Sequence, residues 1–254
     1  MVWLTMMAAL ASGESVVLEA PVLRVLLPQG DVSVVADPAA TAISLEIDRA
    51  RWGEHCSMDV GVEGTEAVVR GVREGGPMRM CRANVSARVP PATRVIIEVT
   101  GGDVELAGNA GGTVQVGLGD IIVAGVTGTL EAEIATGDLV GSFLGERLVA
   151  KVSSGQVRLA GLVCPADVSV TLGRLELAYD RAPDGGISVF SAAGRASIIL
   201  PAGTTVALGE TDARMGNLLN ELPVDEASKT VIRGKTHAGN IHVLSGGPPV
   251  PPAL

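Results

Sequence analysis

Aromatic side chains are scarce in this sequence of 254 residues, which contains two Trp, two Phe and one Tyr. Large rings normally supply much of the buried surface of a globular core. We therefore expect a thin interior lined by Val, Leu, Ile and Ala. The scarcity of rings also argues against stacking platforms for sugars or for nucleic-acid bases.

Basic residues are outnumbered by acidic ones, with 19 Lys and Arg against 28 Asp and Glu, a formal net charge of −9 and a pI of about 4.9. An acidic chain repels phosphate backbones and anionic lipid headgroups. We therefore expect no nucleic-acid partner and no anionic membrane surface as a partner. The expected partner is an envelope or surface protein or a glycan, of unknown identity.

Long apolar runs are also missing, except at the N-terminus. Residues 2–11 form an apolar run followed by small residues, which resembles the hydrophobic core and cleavage zone of a secretory signal peptide. We expect residues 1–13 to be such a peptide, although they contain no Lys or Arg; the alternative is a buried first strand. No other run approaches 18 residues, so we expect no membrane span in the mature chain. The expected location is the periplasm, the cell envelope or the extracellular space.

Only three cysteines occur, at Cys56, Cys81 and Cys164, and none forms a Cys-x-x-Cys motif. Cys56 and Cys81 lie at the edges of strand-like runs in the same region, so they are the candidate disulfide pair of an exported protein. Cys164 would then remain free. The alternative is three buried thiols that behave as small hydrophobic side chains.

Glycine, by contrast, is abundant at 33 residues, and part of it is strictly positioned. A short phrase of a small residue, Gly, a polar residue and two apolar residues at alternate positions occurs five times. Its glycines follow one another at intervals of 17 or 18 residues: Gly102, Gly119, Gly137, Gly155 and Gly173. Glycine suits a repeated turn because it adopts positive φ without steric penalty.

A second phrase between these turns ends on an apolar residue at Val116, Ile134, Val152 and Val170. Apolar residues at alternate positions share one face of a strand but not of a helix. Units this short bury their apolar face only by stacking on their neighbours. The sequence therefore predicts an all-β, single-chain β-solenoid with about 18 residues, in two short strands, per coil. These four residues should form one buried column.

The predicted stacking also aligns the outward residues in rows. One row is Gln115, Glu133, Lys151 and Ser169, and another is Glu105, Ile122, Val140, Arg158 and Glu176. The row after the turn glycine contains three carboxylates: Asp103, Asp120 and Asp138, followed by Gln156 and Arg174. Carboxylates about 5 Å apart repel one another. One carboxylate per coil supplies few ligands for a cation, so we expect turn residues and no metal site.

The regular repeats cover residues 100–200. Residues 14–99 are rich in alternating strands but do not keep the 18-residue interval, and we expect them to form an N-terminal cap; "VEGTEAV" reads as a hairpin connection. Residues 201–245 are expected to form a C-terminal cap. The Pro-rich residues 246–254 are expected to be a disordered tail.

The segment "ARVPPATRVIIEVTGGDVELAG", the tandem repeats and the ending "IILPAGTTVALGETDARMGN…IRGKTHAGNIHVLSG" resemble the bacterial putative-adhesin family, a domain of unknown function. The resemblance covers roughly residues 22–245. It implies a β-solenoid found on exported or envelope-associated proteins. It supplies no catalytic residues.

Motifs of enzymes are missing from the sequence, which has no Gly-x-Ser-x-Gly, no phosphate-binding loop and no His-Glu-x-x-His. His237 and His242 are five positions apart, so on one strand they point to opposite faces. His55, beside Cys56, is a weak ligand set. We expect no catalytic, cofactor-binding or metal-binding residues, no cofactor and no enzymatic activity.

Three functions fit this sequence to different degrees. The favoured one is a non-enzymatic β-solenoid of the cell envelope or a secreted one, serving as a scaffold or an adhesin-like binding module. The first alternative is a cytoskeletal polymer of the bactofilin type, which also stacks short apolar coils. The second is a polysaccharide-acting β-helix enzyme, for which the short turns and few rings are poorly suited.

Overall fold

The computed structural model describes residues 14–75 and 80–246 of the chain, and within them it contains strands and turns but no helix. The expected signal peptide, residues 1–13, and all of the expected tail beyond residue 246 lie outside the described residues. The strands are β1 Glu14–Leu18, β2 Val22–Leu27, β3 Val32–Ala36, β4 Ile43–Arg51, β5 Cys56–Glu63, β6 Glu66–Arg73, β7 Arg82–Val89, β8 Arg94–Gly101, β9 Val104–Ala107, β10 Gly111–Leu118, β11 Ile121–Val126, β12 Thr129–Thr136, β13 Leu139–Phe143, β14 Arg147–Leu162, β15 Ala166–Tyr179, β16 Gly185–Pro201, β17 Ala207–Met215, β18 Leu218–Asn220 and β19 Thr230–Gly246.

No helix among these residues is long and apolar enough to cross a membrane.

Successive passes of the chain pair in parallel, each with the pass before it. The strands β8, β10, β12, β14 and β15 pair in order through their first halves, which we call the first face. The strands β9, β11, β13 and the second halves of β14 and β15 pair in the same order, which we call the second face. Each pass thus forms one layer, separated from the next by the usual strand spacing of about 4.8 Å.

The four apolar residues predicted to stack do form a single buried column. Val116 is the register partner of Ile134, Ile134 of Val152, and Val152 of Val170. Their exposed fractions are 3%, 1%, 2% and 0%. The column continues beyond Val170 into Ser191, so the stacking of residues 17 or 18 positions apart is confirmed.

The corner between the two faces, which we call the glycine corner, holds one glycine in each layer. The φ angles of these glycines lie between +136° and +149°. A Cβ on each would overlap the carbonyl oxygen of the glycine in the layer beneath it. The stack runs in the order Gly30, Gly102, Gly119, Gly137, Gly155, Gly173, Gly194, Gly239 and Gly216. Both the backbone angle and the close approach of the layers therefore require glycine here.

The later layers differ from the expectation of two short strands each. Strands β14, β15, β16 and β19 continue through the glycine corner without a break, over 14 to 17 residues. The cause is the conformation of the corner glycine, such as Gly155, whose φ of +144° keeps the backbone extended while it turns. Gly155 consequently pairs in register with Gly173, so the parallel ladder continues around the corner.

The outward rows also have the predicted register. Glu133 lies beside Lys151 on the first face, and Arg158 lies beside Glu176 on the second face. Neither pair is among the ion pairs within 4.0 Å in the described part of the chain. These exposed charges therefore balance the surface without a fixed contact, as expected for long side chains in water.

The N-terminal region joins the stack out of chain order. Strands β2 and β3 pair in parallel with β8 and β9, so residues 22–36 are the layer next to residues 94–107. Strands β6 and β7 stack in parallel on the other side of β2 and β3. Beyond them the pairing becomes antiparallel, in β5–β6, β4–β7 and β1–β4. The predicted hairpin at "VEGTEAV" is the β5–β6 connection and is confirmed.

The C-terminal region is also out of order. Strand β19 pairs along its whole length with β16, in 16 register positions that include Gly194 and Gly239. The earlier strands β17 and β18 stack on the far side of β19. Part of residues 201–245 therefore continues the regular stack, and the chain segment before it forms the outermost layer.

The glycine corner predicts a large difference between two Gly→Ala substitutions. Gly155→Ala places a methyl group against the carbonyl oxygen of Gly137 at a φ of +144°, so we expect a loss of at least ~2 kcal/mol of unfolding free energy. Gly61 in β5 has open space around its Cβ position, so Gly61→Ala should change stability by less than ~0.5 kcal/mol. Urea unfolding followed by far-ultraviolet circular dichroism measures both; equal effects would show that the corner tolerates a side chain.

Candidate functional site

A ladder of carboxylates runs along the glycine corner, one residue after each glycine. The Oδ1 atom of Asp103 accepts a hydrogen bond from the amide of Asp120 at 2.9 Å, and Oδ1 of Asp120 accepts one from the amide of Asp138 at 2.8 Å. Asp138 does the same for the amide of Gln156 at 2.8 Å. Each carboxylate thus satisfies a backbone donor of the next layer, which is a structural role for the acidic row.

The ladder extends further toward the N-terminal end than the sequence pattern predicts. Asp31 accepts from the amide of Asp103 at 3.1 Å, and the amide of Asp31 in turn donates to Oδ1 of Asn84 at 3.1 Å. Arg82 pairs with the remaining oxygen of Asp31 at 2.7 Å. The glycine phrase at residues 30–31 signals this position, but its neighbour in the stack is 72 residues away in the chain.

A shallow groove of about 550 Å³ crosses the first face close to the glycine corner. Five successive layers line it, from Leu26 in β2 to Ser153 in β14. Its outward side chains are small or polar: Glu98, Thr100, Gln115, Gly117, Glu133, Ala135 and Ser153. Glu98, Gln115 and Glu133 are successive register partners, so the groove offers polar atoms at intervals of about 4.8 Å. This arrangement fits an extended ligand better than a compact one.

Cys56 and Cys81 are joined in a disulfide, with their Cα atoms 5.7 Å apart. The bond ties the first residue of β5 to the residue before β7, across a loop with a sequence separation of 25 residues. In the chain-entropy model a loop of this length contributes about 3 kcal/mol. It holds the antiparallel hairpin β5–β6 against the parallel stack.

His55 lies in the same place as the disulfide. One ligand atom from each of His55, Cys56 and Cys81 lies within 4.8 Å of the other two. The carbonyl oxygen of His55 accepts a hydrogen bond from the amide of Glu74 at 2.8 Å, which fixes the backbone there. The imidazole Nε2 is buried and has no hydrogen-bond partner among the described residues. Sequence reasoning placed these three residues close together but did not predict the unpartnered nitrogen.

Cys164 is free and buried, and it lies close to the buried Tyr179 at the corner opposite the glycines. Burial raises the pKa of the Cys164 thiol to about 11. Burial, and secondarily the charge of a Cys164 thiolate, raise the pKa of the Tyr179 hydroxyl. Both groups therefore stay neutral at physiological pH and serve the core.

The two C-terminal histidines do not meet. His237 packs its ring edge-on against Phe190, with ring centroids 5.4 Å apart, on the first face. His242 lies on the second face, in register with Ser197. No other group of three or more His, Cys, Asp or Glu side chains in the described part of the chain has metal-binding proximity.

Removing one rung of the carboxylate ladder should cost stability in a way that depends on its oxygen and not on its charge. Asp120→Ala leaves the amide of Asp138 without its acceptor, so we expect a loss of about 1 kcal/mol. Asp120→Asn keeps an oxygen acceptor and removes repulsion between neighbouring carboxylates, so it should stay within ~0.5 kcal/mol of the native protein. Asp167→Ala, at an exposed position of β15, is the control for losing a carboxylate. A large loss from Asp120→Asn in chemical unfolding would contradict this reading.

Cys164 should resist alkylation in the folded protein. A pKa of about 11 keeps the thiol protonated at pH 8, and reactivity rises only as pH approaches that value. We expect iodoacetamide to modify the native protein at least ~100-fold more slowly than the unfolded protein, measured by intact mass. Cys164→Ser supplies the blank, and equal rates in the two states would show that the thiol is accessible.

The comparisons with known proteins place this chain by fold. No family model matches its sequence, and no curated protein matches it either. A solved structure from Bacteroides fragilis, described as a putative adhesin, is 13% identical with a TM-score of 0.54 and covers 91% of this chain and 96% of that one. A putative cell adhesion protein from Clostridium sporogenes is 11% identical with a TM-score of 0.28, covering 92% and 99%. The likeness to the Bacteroides structure shows a shared all-β fold, in agreement with the resemblance noted in the sequence.

Proposed function

We propose that this chain is a non-enzymatic β-solenoid, with about 18 residues per coil, that acts outside the cytoplasm as an adhesin-like binding module or scaffold. The observation that carries the proposal is the parallel register that links residue 22 to residue 246 through successive layers. Stacks of this kind present long outward rows on flat faces, which are extended binding surfaces.

Location outside the cytoplasm is supported by chemistry and by likeness. Disulfides form and persist in oxidising compartments, and Cys56 and Cys81 form one. The Bacteroides structure with the shared fold is described as a putative adhesin. Residues 1–13, read as a signal peptide, supply the route of export under this proposal.

The groove on the first face is the proposed ligand surface. Its polar atoms repeat with the layers, and the small side chains of Gly117, Ala135 and Ser153 leave the backbone accessible. An extended polymer, either a glycan chain or a protein segment, can contact several layers at once. The regular spacing supplies a repeated weak contact, and the sum over layers gives the affinity.

A second candidate, end-to-end assembly of the bactofilin type, is favoured by the outermost layer. Within the described residues, β17 and β18 hydrogen-bond to β19 only, and Leu208, Met215 and Leu219 are exposed there. The other end finishes in antiparallel strands, so the two ends do not match as parallel layers. Sedimentation velocity decides between the candidates: a strict monomer at micromolar concentration removes the polymer, and filaments in the electron microscope favour it.

The primary proposal is tested in the native host and on its cells. Fractionation should place the protein outside the cytoplasm with Cys56 and Cys81 oxidised. Fluorescently labelled protein should bind intact cells, and Ala135→Arg, which fills the groove, should weaken binding at least ~10-fold by flow cytometry. Ala202→Arg, in the exposed turn after β16, is the matched control and should bind as the native protein does.

Three results would count against the proposal. One is a cytoplasmic protein with three free thiols. Another is cell binding that Ala135→Arg leaves unchanged. The third is the release of soluble fragments from envelope polysaccharides during incubation with the protein, which would revive the enzyme alternative.

A further inference from the structure

We propose that His55, Cys56 and Cys81 form a binding site for one Zn²⁺ ion when the disulfide is reduced. The disulfide and the metal would then be alternative occupants of the same two sulfur atoms. The inference is independent of the function proposed above, because it concerns the hinge between the hairpin and the stack and not the groove.

The first argument is the composition and proximity of the ligand set. Zn²⁺ is bound in proteins by Cys thiolates at about 2.3 Å and by His nitrogens at about 2.0–2.1 Å. Those bond lengths put tetrahedral ligand atoms roughly 3.5–3.8 Å apart. Here the three ligand atoms already lie within 4.8 Å of one another. Small side-chain rotations after reduction are enough to bring them to the required separation.

The second argument is the buried imidazole nitrogen. Nε2 of His55 has no hydrogen-bond partner among the described residues, although it is shielded from solvent. An unsatisfied buried polar atom costs about 1–3 kcal/mol. Coordination of a metal ion gives this nitrogen a partner, which the disulfide state does not.

The third argument is charge. Two thiolates neutralise the two positive charges of Zn²⁺, so the bound site is electrically neutral. Its surroundings are mixed in sign, with Arg73 opposite Cys56 in the β5–β6 pairing and Glu54 and Glu74 next to the ligand segment. A neutral complex avoids the cost of burying an unpaired charge. His55 and Cys56 are partly exposed, which leaves room for a water molecule as the fourth ligand.

The redox step is a thiol–disulfide exchange. A dithiol reductant breaks the Cys56–Cys81 bond, forms its own disulfide and leaves two protein thiols. Binding of Zn²⁺ then releases the two thiol protons to solvent, because the thiolate is the ligand. The backbone around the site is held in either state by the Glu74-to-His55 hydrogen bond and by the β5–β6 pairing.

The test uses the full purified chain and Zn²⁺ alone as the probe. The protein is reduced with a phosphine, freed of reductant under nitrogen and titrated with Zn²⁺ against a chromophoric chelator. We expect one Zn²⁺ per reduced chain and none per oxidised chain. Co²⁺ substitution should add an intense near-ultraviolet thiolate-to-metal absorption, which a histidine-only or carboxylate site would not produce.

Variants assign the ligands. His55→Ala leaves both cysteines and the disulfide in place, so the protein folds as before, and its reduced form should bind Zn²⁺ at least ~10-fold more weakly. Cys56→Ser should abolish the thiolate absorption. Cys164→Ser removes the third cysteine, which is buried elsewhere, and should bind as the native protein does. No binding by the reduced native chain, or unchanged affinity in His55→Ala, overturns the proposal.

Discussion

The close approach of backbones at the glycine corner is the constraint on which the rest of the structure depends. Each corner glycine lies against the carbonyl oxygen of the glycine in the next layer, at φ angles that side chains disfavour. The contact sets the distance between layers at that edge and keeps the ladder in register through the turn. Because one such contact is needed per layer, glycine returns at a fixed interval, and the length of every layer follows.

The chemistry beside the corner follows from the same contact. With the layers aligned, the carboxylate of Asp103 or Asp120 faces the amide of the residue one layer on, and the hydrogen bond offsets the repulsion between neighbouring charges. The interior is thin because the two faces meet at this tight turn, and Val152 and its register partners fill it without rings. What remains free to vary is the outward row, which is where a ligand surface such as the groove can be built.

Local periodicity was enough to predict the regular part of the fold. The spacing of Val116, Ile134, Val152 and Val170 gave the correct column, since neighbours in the stack were also neighbours in the repeat. The ends could not be predicted in this way. Gly30 meets Gly102 only because residues 37–89 fold back outside β3, and nothing in a local pattern states where an insertion docks. The groove and the unpartnered His55 nitrogen were missed for the same reason, since both need contacts between distant segments.

The exchange of order between the last two layers affects how this protein is made. Strand β19, translated last, lies between β16 and the layer formed by β17 and β18. The segment 207–220 leaves the ribosome with no surface on which to pair, and it waits until residues 230–246 have docked on β16. Completion of this end of the molecule is therefore post-translational. Such long-range pairings are slow to form, and the unpaired strands are exposed to other chains meanwhile.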